Sequence, residues 1–496
     1  MSDNSSHDFA SLKGHMAKGA LWMVGMRWSL RLIGLLNTLI IARLLTPDDF
    51  GVSTMAWIVV EFLMMLAETN VDIGVLRNNK FTRDYLDSAW TVKIISGVVI
   101  FVVLMAIAPL TELYYQDDRV PLVIQIVSLR ALIMGFENIG IAEFRHKMEF
   151  AKEFRYWMLR RMLMLGFGLG LAFALGNYMA LALAAPVSGA LTVALSFLMS
   201  SYRPRISFVK WRELWRFSQW QLLSNATRYV NGRADQFVVG GIGDAADTGH
   251  YYVASDIAGM PTREVIGPMG RAFLPVLAKI VGQPGELRQA WDVILQFTAL
   301  IAFPAGVGMA LIADDTILVL LGPQWINSTF FFQWLALCAL FEGFFLSMET
   351  LFIVNHHERT FALINGFQLL VLVPLLFAAG HFFGIVAIAQ VRLVVMAITV
   401  VAMFALMIRL GWTDIGTILR SLWRPAVASA VMAVAVMAGH GDHGGMRILS
   451  LALDITLGAV VFCGVLFGLW LACRRPPGAE AIVIAALRTR VRRRST

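Results

Sequence analysis

Long apolar stretches separated by short polar turns recur along this chain from Ala20 to Ala472. A helix needs about 20 consecutive apolar residues to cross a bilayer, so this pattern predicts an all-α polytopic membrane protein. The composition agrees, because 58% of the 496 residues are hydrophobic and only 15% are charged. Such a chain has too little polar surface to cover a water-soluble globule.

The apolar stretches predict about fourteen transmembrane helices. The predicted spans are 20–42, 51–74, 88–111, 120–143, 157–176, 178–201, 217–242, 250–276, 291–312, 326–353, 361–379, 383–408, 423–439 and 447–472. The eighth span contains Pro261 and Pro268 with nearby glycines, which predicts a kink or break. The leader lacks the apolar core of a signal peptide, so we expect the first span to remain as an anchor.

Basic residues are distributed unevenly between the connections. Every second connection, beginning with the leader and including 77–83, 145–155, 203–216 and the tail, is rich in Lys and Arg, whereas the others carry mainly Asp. By the positive-inside rule this alternation predicts that both termini are cytoplasmic. The three cysteines, Cys338, Cys463 and Cys473, show no metal-ligand spacing and no disulfide framework.

Charged residues also occur within the predicted spans. Those at or toward membrane depth are Arg27, Arg31, Arg130, Arg228, Arg233, Arg263, Arg271 and Arg392. Each would cost about 2.5 to 3.5 kcal/mol if it faced lipid, so we expect them to face a protein interior or a water-filled cavity. Lys93, Arg160 and Arg161 are interpreted instead as interfacial anchors near cytoplasmic helix ends.

Acidic residues at depth leave two interpretations of these arginines open. Arg130 with Glu137, Arg228 with Asp235, and Asp256 with Arg263 are each two helical turns apart, which predicts that each pair shares a helix face. Glu61, Glu68 and Asp72 are possible partners of Arg27 and Arg31. The arginines therefore either form structural ion pairs or converge on an anionic ligand such as a phosphate.

Two segments about 200 residues apart resemble each other. ARLLTPDDFGVSTMA at 42–56 and GIGDAADTGHYYVAS at 241–255 both place a turn with Asp and a following Gly between two spans. This spacing predicts two pseudo-symmetric six-helix lobes, 20–210 and 211–410, followed by a terminal helix pair within 411–473. Residues 1–19 and 474–496 are the predicted cytoplasmic leader and basic cytoplasmic tail.

The chain resembles the Wzx-like polysaccharide-transport flippases of the multidrug/oligosaccharidyl-lipid/polysaccharide exporter superfamily. The resemblance is carried by ARLLTPDDFGV at 42–52, DIGVLRN at 72–78, TGHYYVAS at 248–255 and GRAFLPVL at 270–277, together with Ala20 to Trp22. It implies a V-shaped pair of lobes, a bacterial inner-membrane location, and alternating access that moves a polyprenyl-diphosphate-linked oligosaccharide outward. Membrane lipids and polysaccharide polymerase or export machinery are the further partners that it implies.

Such a substrate needs cations at depth and an aqueous cavity. The candidates for binding its diphosphate are Arg27, Arg31, Arg228, Arg233, Arg263, Arg130 and Arg392. The candidates for coupling to a Na+ or H+ gradient are Glu61, Asp235, Asp256, Glu264, Glu342 and Glu349. No cofactor, structural metal or nucleic-acid partner is expected.

Three other functions compete with this one. A peptidoglycan-precursor flippase would bind a similar anionic lipid, and a multidrug antiporter of the same superfamily should favour acids in its cavity. A membrane-embedded polysaccharide polymerase or ligase should carry a sizeable extramembrane loop or an acid cluster, neither of which the sequence shows. The residue pattern therefore favours a transporter of an anionic lipid over an enzyme.

Overall fold

The computed structural model describes residues 29–67, 82–147, 149–439, 447–476, 478–482 and 484–485. All regular structure in these residues is helical, and ten helices are long and apolar enough to cross a membrane, or eleven if one bent pair forms a single span. The chain is therefore an all-α multi-pass membrane protein, as predicted. Every predicted span overlaps a helix where it is described, although the fourth is interrupted after Gly135 and the eighth at Gly259. The total of about fourteen crossings stays a prediction.

The chain forms two compact units, one ending at Gly249 and the other beginning at His250, which are called the first and second units below. The helices of the first unit are α1 (29–44), α2 (Pro47–Ala67), α3 (Arg83–Tyr115), α4 (Arg119–Gly135), α5 (Ala142–His146), α6 (Phe150–Leu175), α7 (Tyr178–Met199) and α8 (Trp211–Ile242). The next helix, α9 (Ala245–Ala258), contains the division between the units.

The core of the first unit lies where α2, α3, α4 and α7 meet. Small residues allow α3 and α4 to approach closely: a β-carbon on Gly97 would lie 2.7 Å from the carbonyl oxygen of Ala131. Helix α6 is the opposite case, since most of its apolar surface is exposed, as expected for contact with lipid.

The two similar segments fold in the same way at the starts of α2 and α9. The backbone N–H of Thr46 donates to the Asp49 carboxylate at 3.0 Å, and the backbone N–H of Asp49 donates to the Thr46 hydroxyl at 3.2 Å. Asp244 and Asp247 make the equivalent exchange at 3.3 and 2.8 Å. Both are N-terminal capping boxes, so the sequence similarity reflects a repeated local structure.

The glycines that follow these caps make matching contacts. A β-carbon on Gly51 would clash with the carbonyl of Ala245, and one on Gly249 would clash with the carbonyl of Pro47. Each glycine thus packs against the first residue of the other helix, so the two helix starts are related by approximate two-fold symmetry. Only glycine permits so close an approach of two backbones.

The acidic residues beside the first cap connect neighbouring turns. Arg119 binds Asp48 at 2.5 Å and Asp117 at 2.7 Å. Burial alone would raise the pKa of Asp117, but the hydrogen bonds and charge of Arg119 outweigh it and hold that pKa below its usual value. These charges therefore stabilise the connection between α3 and α4.

Helix α4 ends earlier than predicted. It stops at Gly135 and the chain bends by 64° into a short helical segment at Ile139–His146. The Asn138 side chain holds this bend by accepting from the N–H of Gly140 at 2.9 Å. The prediction that Arg130 and Glu137 share one helix face is therefore wrong, because the helix ends between them.

Up to Ala472, the described residues of the second unit form the rest of α9 and eight further α-helices. They are α10 (Gly267–Ile280), α11 (Pro284–Leu311), α12 (Ala313–Leu320), α13 (Ser328–Val354), α14 (Glu358–Phe383), α15 (Ile385–Arg409), α16 (Ile415–Gly439) and α17 (Arg447–Ala472). Its main core is built from α10, α11, α13 and α15. Between α9 and α10 a π-helical turn at Thr262–Ile266 interrupts the predicted eighth span, which confirms the predicted break.

The tail of the chain returns to the second unit. Glu480 forms an ion pair with Arg424 of α16 at 2.8 Å, and both side chains are almost fully buried. The N–H of Ala479 donates to the side chain of Gln296 on α11 at 2.9 Å. The beginning of the predicted basic tail is thus packed on the protein.

The compact units divide the chain at a different point from the predicted lobes. Helix α8, placed at the start of the second lobe by the sequence, packs against α2 and α3. The terminal helices α16 and α17 pack on each other, and α16 packs on α11 of the second unit. The spacing of the repeated segments locates equivalent turns, whereas packing between helices determines where a compact unit ends.

Candidate functional site

Charged side chains at depth in the first unit form a connected group. Arg233 of α8 lies 3.6 Å from Glu61 of α2 and donates to Gln236 at 2.8 Å. On the preceding turns of α8, the Tyr229 hydroxyl donates to the carbonyl of Ile58 at 2.8 Å. These contacts fix the position of Arg233 beside α2, and its guanidinium remains one-third exposed.

Arg130 of α4 is more enclosed and binds neutral groups. Its guanidinium donates to the hydroxyl of Ser188 at 3.1 Å and to the carbonyl of Ala185 at 3.3 Å, both on α7. It also lies within electrostatic range of Glu61, Glu137 and Arg160. Among the described residues, Arg130 therefore lies near the group without a direct carboxylate contact of the kind that Arg233 makes.

Glu137, at the bend after α4, connects three helical segments. It accepts from Lys93 of α3 at 2.7 Å and from the Tyr156 hydroxyl of α6, and it lies 3.5 Å from Arg160 of α6. Arg160 also stacks over the Trp157 ring at 5.0 Å. These side chains line a cavity of about 140 Å³.

The sequence alone did not place Lys93 and Arg160 in this group. Their positions near predicted helix ends suggested interfacial anchors, but both turn toward Glu137. Helix α6 begins at Phe150, seven residues before the predicted span, so Arg160 lies further along the helix than expected. The sequence signal that could have placed them here is Glu137, a carboxylate at depth that requires a cationic partner.

Of the remaining predicted site residues in the first unit, the structure describes the side chains of Arg31 and Asp235. Arg31 is half-buried on α1, close enough to Arg161 of α6 for their charges to interact. Arg27, Glu68 and Asp72 lie outside the described residues, and so does the side chain of Arg228. Asp235 is buried, and its side chain accepts from the N–H of Gln236 at 3.0 Å.

Arg263 in the second unit binds backbone carbonyls. Its guanidinium donates to Ser255 at 2.7 Å and to Asp256 and Gly259 at 3.3 Å. These carbonyls end α9, so Arg263 caps that helix at its break. Much of the guanidinium is exposed and can still bind a ligand.

The other predicted residues of the second unit lie on neighbouring elements. Glu264 is in the π-helical turn, Glu342 and Glu349 are on α13, and Arg392 is on α15, which packs against α13. All four are partly buried, as is Asp256 at the end of α9. The side chain of Arg271 lies outside the part of the chain that the structure describes.

The described group in the first unit has an excess of positive charge. Its cations at depth are Arg31, Lys93, Arg130, Arg160, Arg161 and Arg233, and its acids are Glu61, Glu137 and Asp235. Several guanidinium groups on different helices can bind the oxygens of a phosphate or diphosphate, which arginine contacts in a bidentate manner. The arrangement therefore suits an anionic ligand better than a cationic one.

Comparison with known proteins identifies the family. Residues 40–330, more than half of the chain, match the family model described as "Polysaccharide biosynthesis protein". The chain belongs to this family. The match includes both capping segments and most of the charged group described above, which confirms the resemblance to the Wzx-like flippases drawn from the sequence.

Individual members of the polysaccharide biosynthesis family are similar over most of their lengths. The succinoglycan biosynthesis transport protein ExoT of Rhizobium meliloti is 24% identical over 85% of this chain and 87% of its own. The lipopolysaccharide biosynthesis protein WzxC of Escherichia coli K12 is 21% identical over 84% of this chain and 85% of its own.

A solved structure shares the fold of this polysaccharide biosynthesis protein. The lipid II flippase MurJ in its inward closed conformation aligns with a TM-score of 0.75 and 12% identity, covering 92% of this chain and 100% of that chain. At this identity the likeness concerns the fold.

Proposed function

We propose that this protein is a flippase that moves a polyprenyl-diphosphate-linked oligosaccharide across the bacterial inner membrane. The repeat unit would serve exopolysaccharide, O-antigen or capsule assembly, and both termini of the carrier would be cytoplasmic. The observation that carries the proposal is the excess of Arg and Lys at depth on α1, α3, α4, α6 and α8 of the first unit. Membership of a polysaccharide biosynthesis family and likeness to a named transport protein support it.

The proposed binding residues have distinct roles. Arg233 and Arg31, which are partly exposed, bind the diphosphate together with Arg27 and Arg228. Arg130 contributes long-range attraction, because its donors are directed to Ser188 and Ala185. In the second unit, Arg263 and Arg392 are the residues proposed to bind the diphosphate.

Transport by alternating access requires an energy source, and we propose coupling to a Na+ or H+ gradient. The candidate carboxylates are Glu61, Asp235, Asp256, Glu264, Glu342 and Glu349. Among them, Glu61 lies beside Arg233, which is one of the residues proposed to bind the diphosphate. Neutralising Glu61 would alter the charge that the substrate meets as well as any ion site.

The proposed function is tested by deleting the gene and analysing surface polysaccharide and lipid-linked intermediates. We expect the polysaccharide to disappear and lipid-linked repeat units to accumulate on the cytoplasmic side. Complementation with Arg233→Gln should restore at most about a tenth of the polysaccharide, because one charge-assisted phosphate contact is lost. Lys147→Gln, which removes an exposed cation paired with Glu143, should restore all of it.

A peptidoglycan-precursor flippase is the second candidate. The fold likeness to the lipid II flippase favours it, and its substrate is also an anionic lipid. In that case deletion would stop cell-wall synthesis and leave other surface polysaccharides unchanged. Unchanged polysaccharide with loss of drug resistance would instead identify a multidrug antiporter, and loss of polysaccharide without accumulated lipid-linked units would contradict the flippase proposal.

A further inference from the structure

Arg161 lies within α6, well away from both ends of the helix. It is the twelfth of 26 residues, about 16 Å from the first residue at 1.5 Å per residue, which is further than an extended arginine side chain reaches. Its guanidinium is directed toward α1, where a β-carbon on Gly34 would clash with it. Gly34 therefore leaves the space that Arg161 occupies in the seam between α1 and α6.

The surroundings of the Arg161 guanidinium differ from those of an ordinary ion pair. Within the part of the chain that the structure describes, no carboxylate lies within 4.0 Å of its guanidinium. Its hydrogen bond is to the Sδ atom of Met164 at 3.9 Å, a weak acceptor. The described charges that act on it are those of Arg31 and Arg160, which repel it.

Arg160, the adjacent residue, provides a comparison. It has Glu137 at 3.5 Å and the face of Trp157 at 5.0 Å. Among the residues that the structure describes, Arg161 has neither kind of partner, although it is half-buried in the same helix. The Arg161 guanidinium therefore lies beside α1 and within range of the positive charge of Arg31, and an anion bound there would relieve their repulsion.

We propose that Arg31 and Arg161 together bind a phosphoryl group in the seam between α1 and α6. Both residues lie 13 or 14 residues before the outer end of their helix, so they are at similar depth, about 20 Å from those ends. Each arginine side chain can donate two parallel hydrogen bonds to phosphoryl oxygens. This inference rests on the proposed function, and it adds α6 to the helices that contact the diphosphate.

The test measures binding of two probes to the full-length protein in nanodiscs of zwitterionic lipid. The probes are a polyprenyl diphosphate and inorganic pyrophosphate. Arg161→Gln should weaken binding of the polyprenyl diphosphate about tenfold or more, as expected for loss of a charge-assisted hydrogen bond. The matched control is Arg155→Gln on the same helix, whose exposed side chain donates to the Ala151 carbonyl, and it should bind within twofold of the wild type.

Further variants separate loss of binding from loss of folding. Arg161→Lys retains the charge and should recover part of the affinity, whereas Gly34→Leu should displace the Arg161 side chain and weaken binding with both arginines present. Each variant is compared with the wild type by thermal unfolding. Equal affinities of the Arg161→Gln and Arg155→Gln variants for both probes would overturn the proposal.

The source of the phosphoryl group is resolved by adding phosphatidylglycerol to the nanodiscs. If Arg161 is required for binding phosphatidylglycerol but not for binding the polyprenyl diphosphate, the seam binds a membrane lipid. The proposal that the seam binds a phosphoryl group would then still hold. The proposed function can fail separately. A deletion strain with normal polysaccharide would refute that function, even if Arg161→Gln abolishes pyrophosphate binding.

Discussion

Two glycines determine how closely the starts of α2 and α9 approach each other. Gly51 and Gly249 each lie against a backbone carbonyl of the opposite helix, so neither position has room for a side chain. The capping acids Asp49 and Asp247 fix the helix starts, and Asp49 also accepts from the N–H of Tyr178 at 2.7 Å. The acids of this motif therefore have a structural role, whereas the arginines at depth are the candidates for binding.

Substituting Gly51 with Val should destabilise the protein by about 1–3 kcal/mol, because the new side chain forces two backbones apart. Gly166→Val on α6 is the matched control, since a β-carbon there has no neighbour within 4 Å. Thermal unfolding of the purified variants in detergent measures the difference. If both substitutions lower the transition temperature equally, the close contact of Gly51 has no energetic importance.

Helix ends decide which charged residues meet. Apolar periodicity located the helices, and the Pro and Gly content of the eighth span indicated its break. The bend after Gly135 was not predicted, because the predicted fourth span continued through Glu137 and Asn138 to residue 143. The surroundings of three residues in the group could not be predicted from spacing: Arg130 binds α7, Glu137 binds α3 and α6, and Arg161 faces α1.

The ion pair between Glu480 of the tail and Arg424 of α16 can be tested by measuring how much it stabilises the protein. Glu480→Ala leaves the nearly buried Arg424 without its counter-ion and should cost about 3–5 kcal/mol. Replacing both residues with Leu removes the pair and should recover most of that loss. Thermal unfolding of the single and double variants measures this coupling, and additive losses would show that the two side chains do not interact.

On the scale of the whole molecule, the sequence predicted the class, the helix positions and the repeat. It did not predict the two compact units, because hydropathy does not encode which helices pack together. Helix α8 illustrates the reason: its contacts with α2 depend on Tyr229 and Arg233, polar residues whose partners are more than 150 residues away in the chain.

The predicted orientation can be measured directly. If both termini are cytoplasmic, as the basic connections predict, a fluorescent protein fused to either terminus should be fluorescent and alkaline phosphatase fused there should be inactive. Phosphatase fused within the turn near Asp117 should be active. Active phosphatase at the C-terminus would require a different number of crossings.

The contact between Glu480 and Arg424 affects how such reporters are designed. A truncation after Ala472, at the end of the last helix, removes the carboxylate that neutralises Arg424 in the second unit. Reporters attached there would measure the location of a damaged protein. Full-length fusions, with the reporter joined after Thr496, avoid this error.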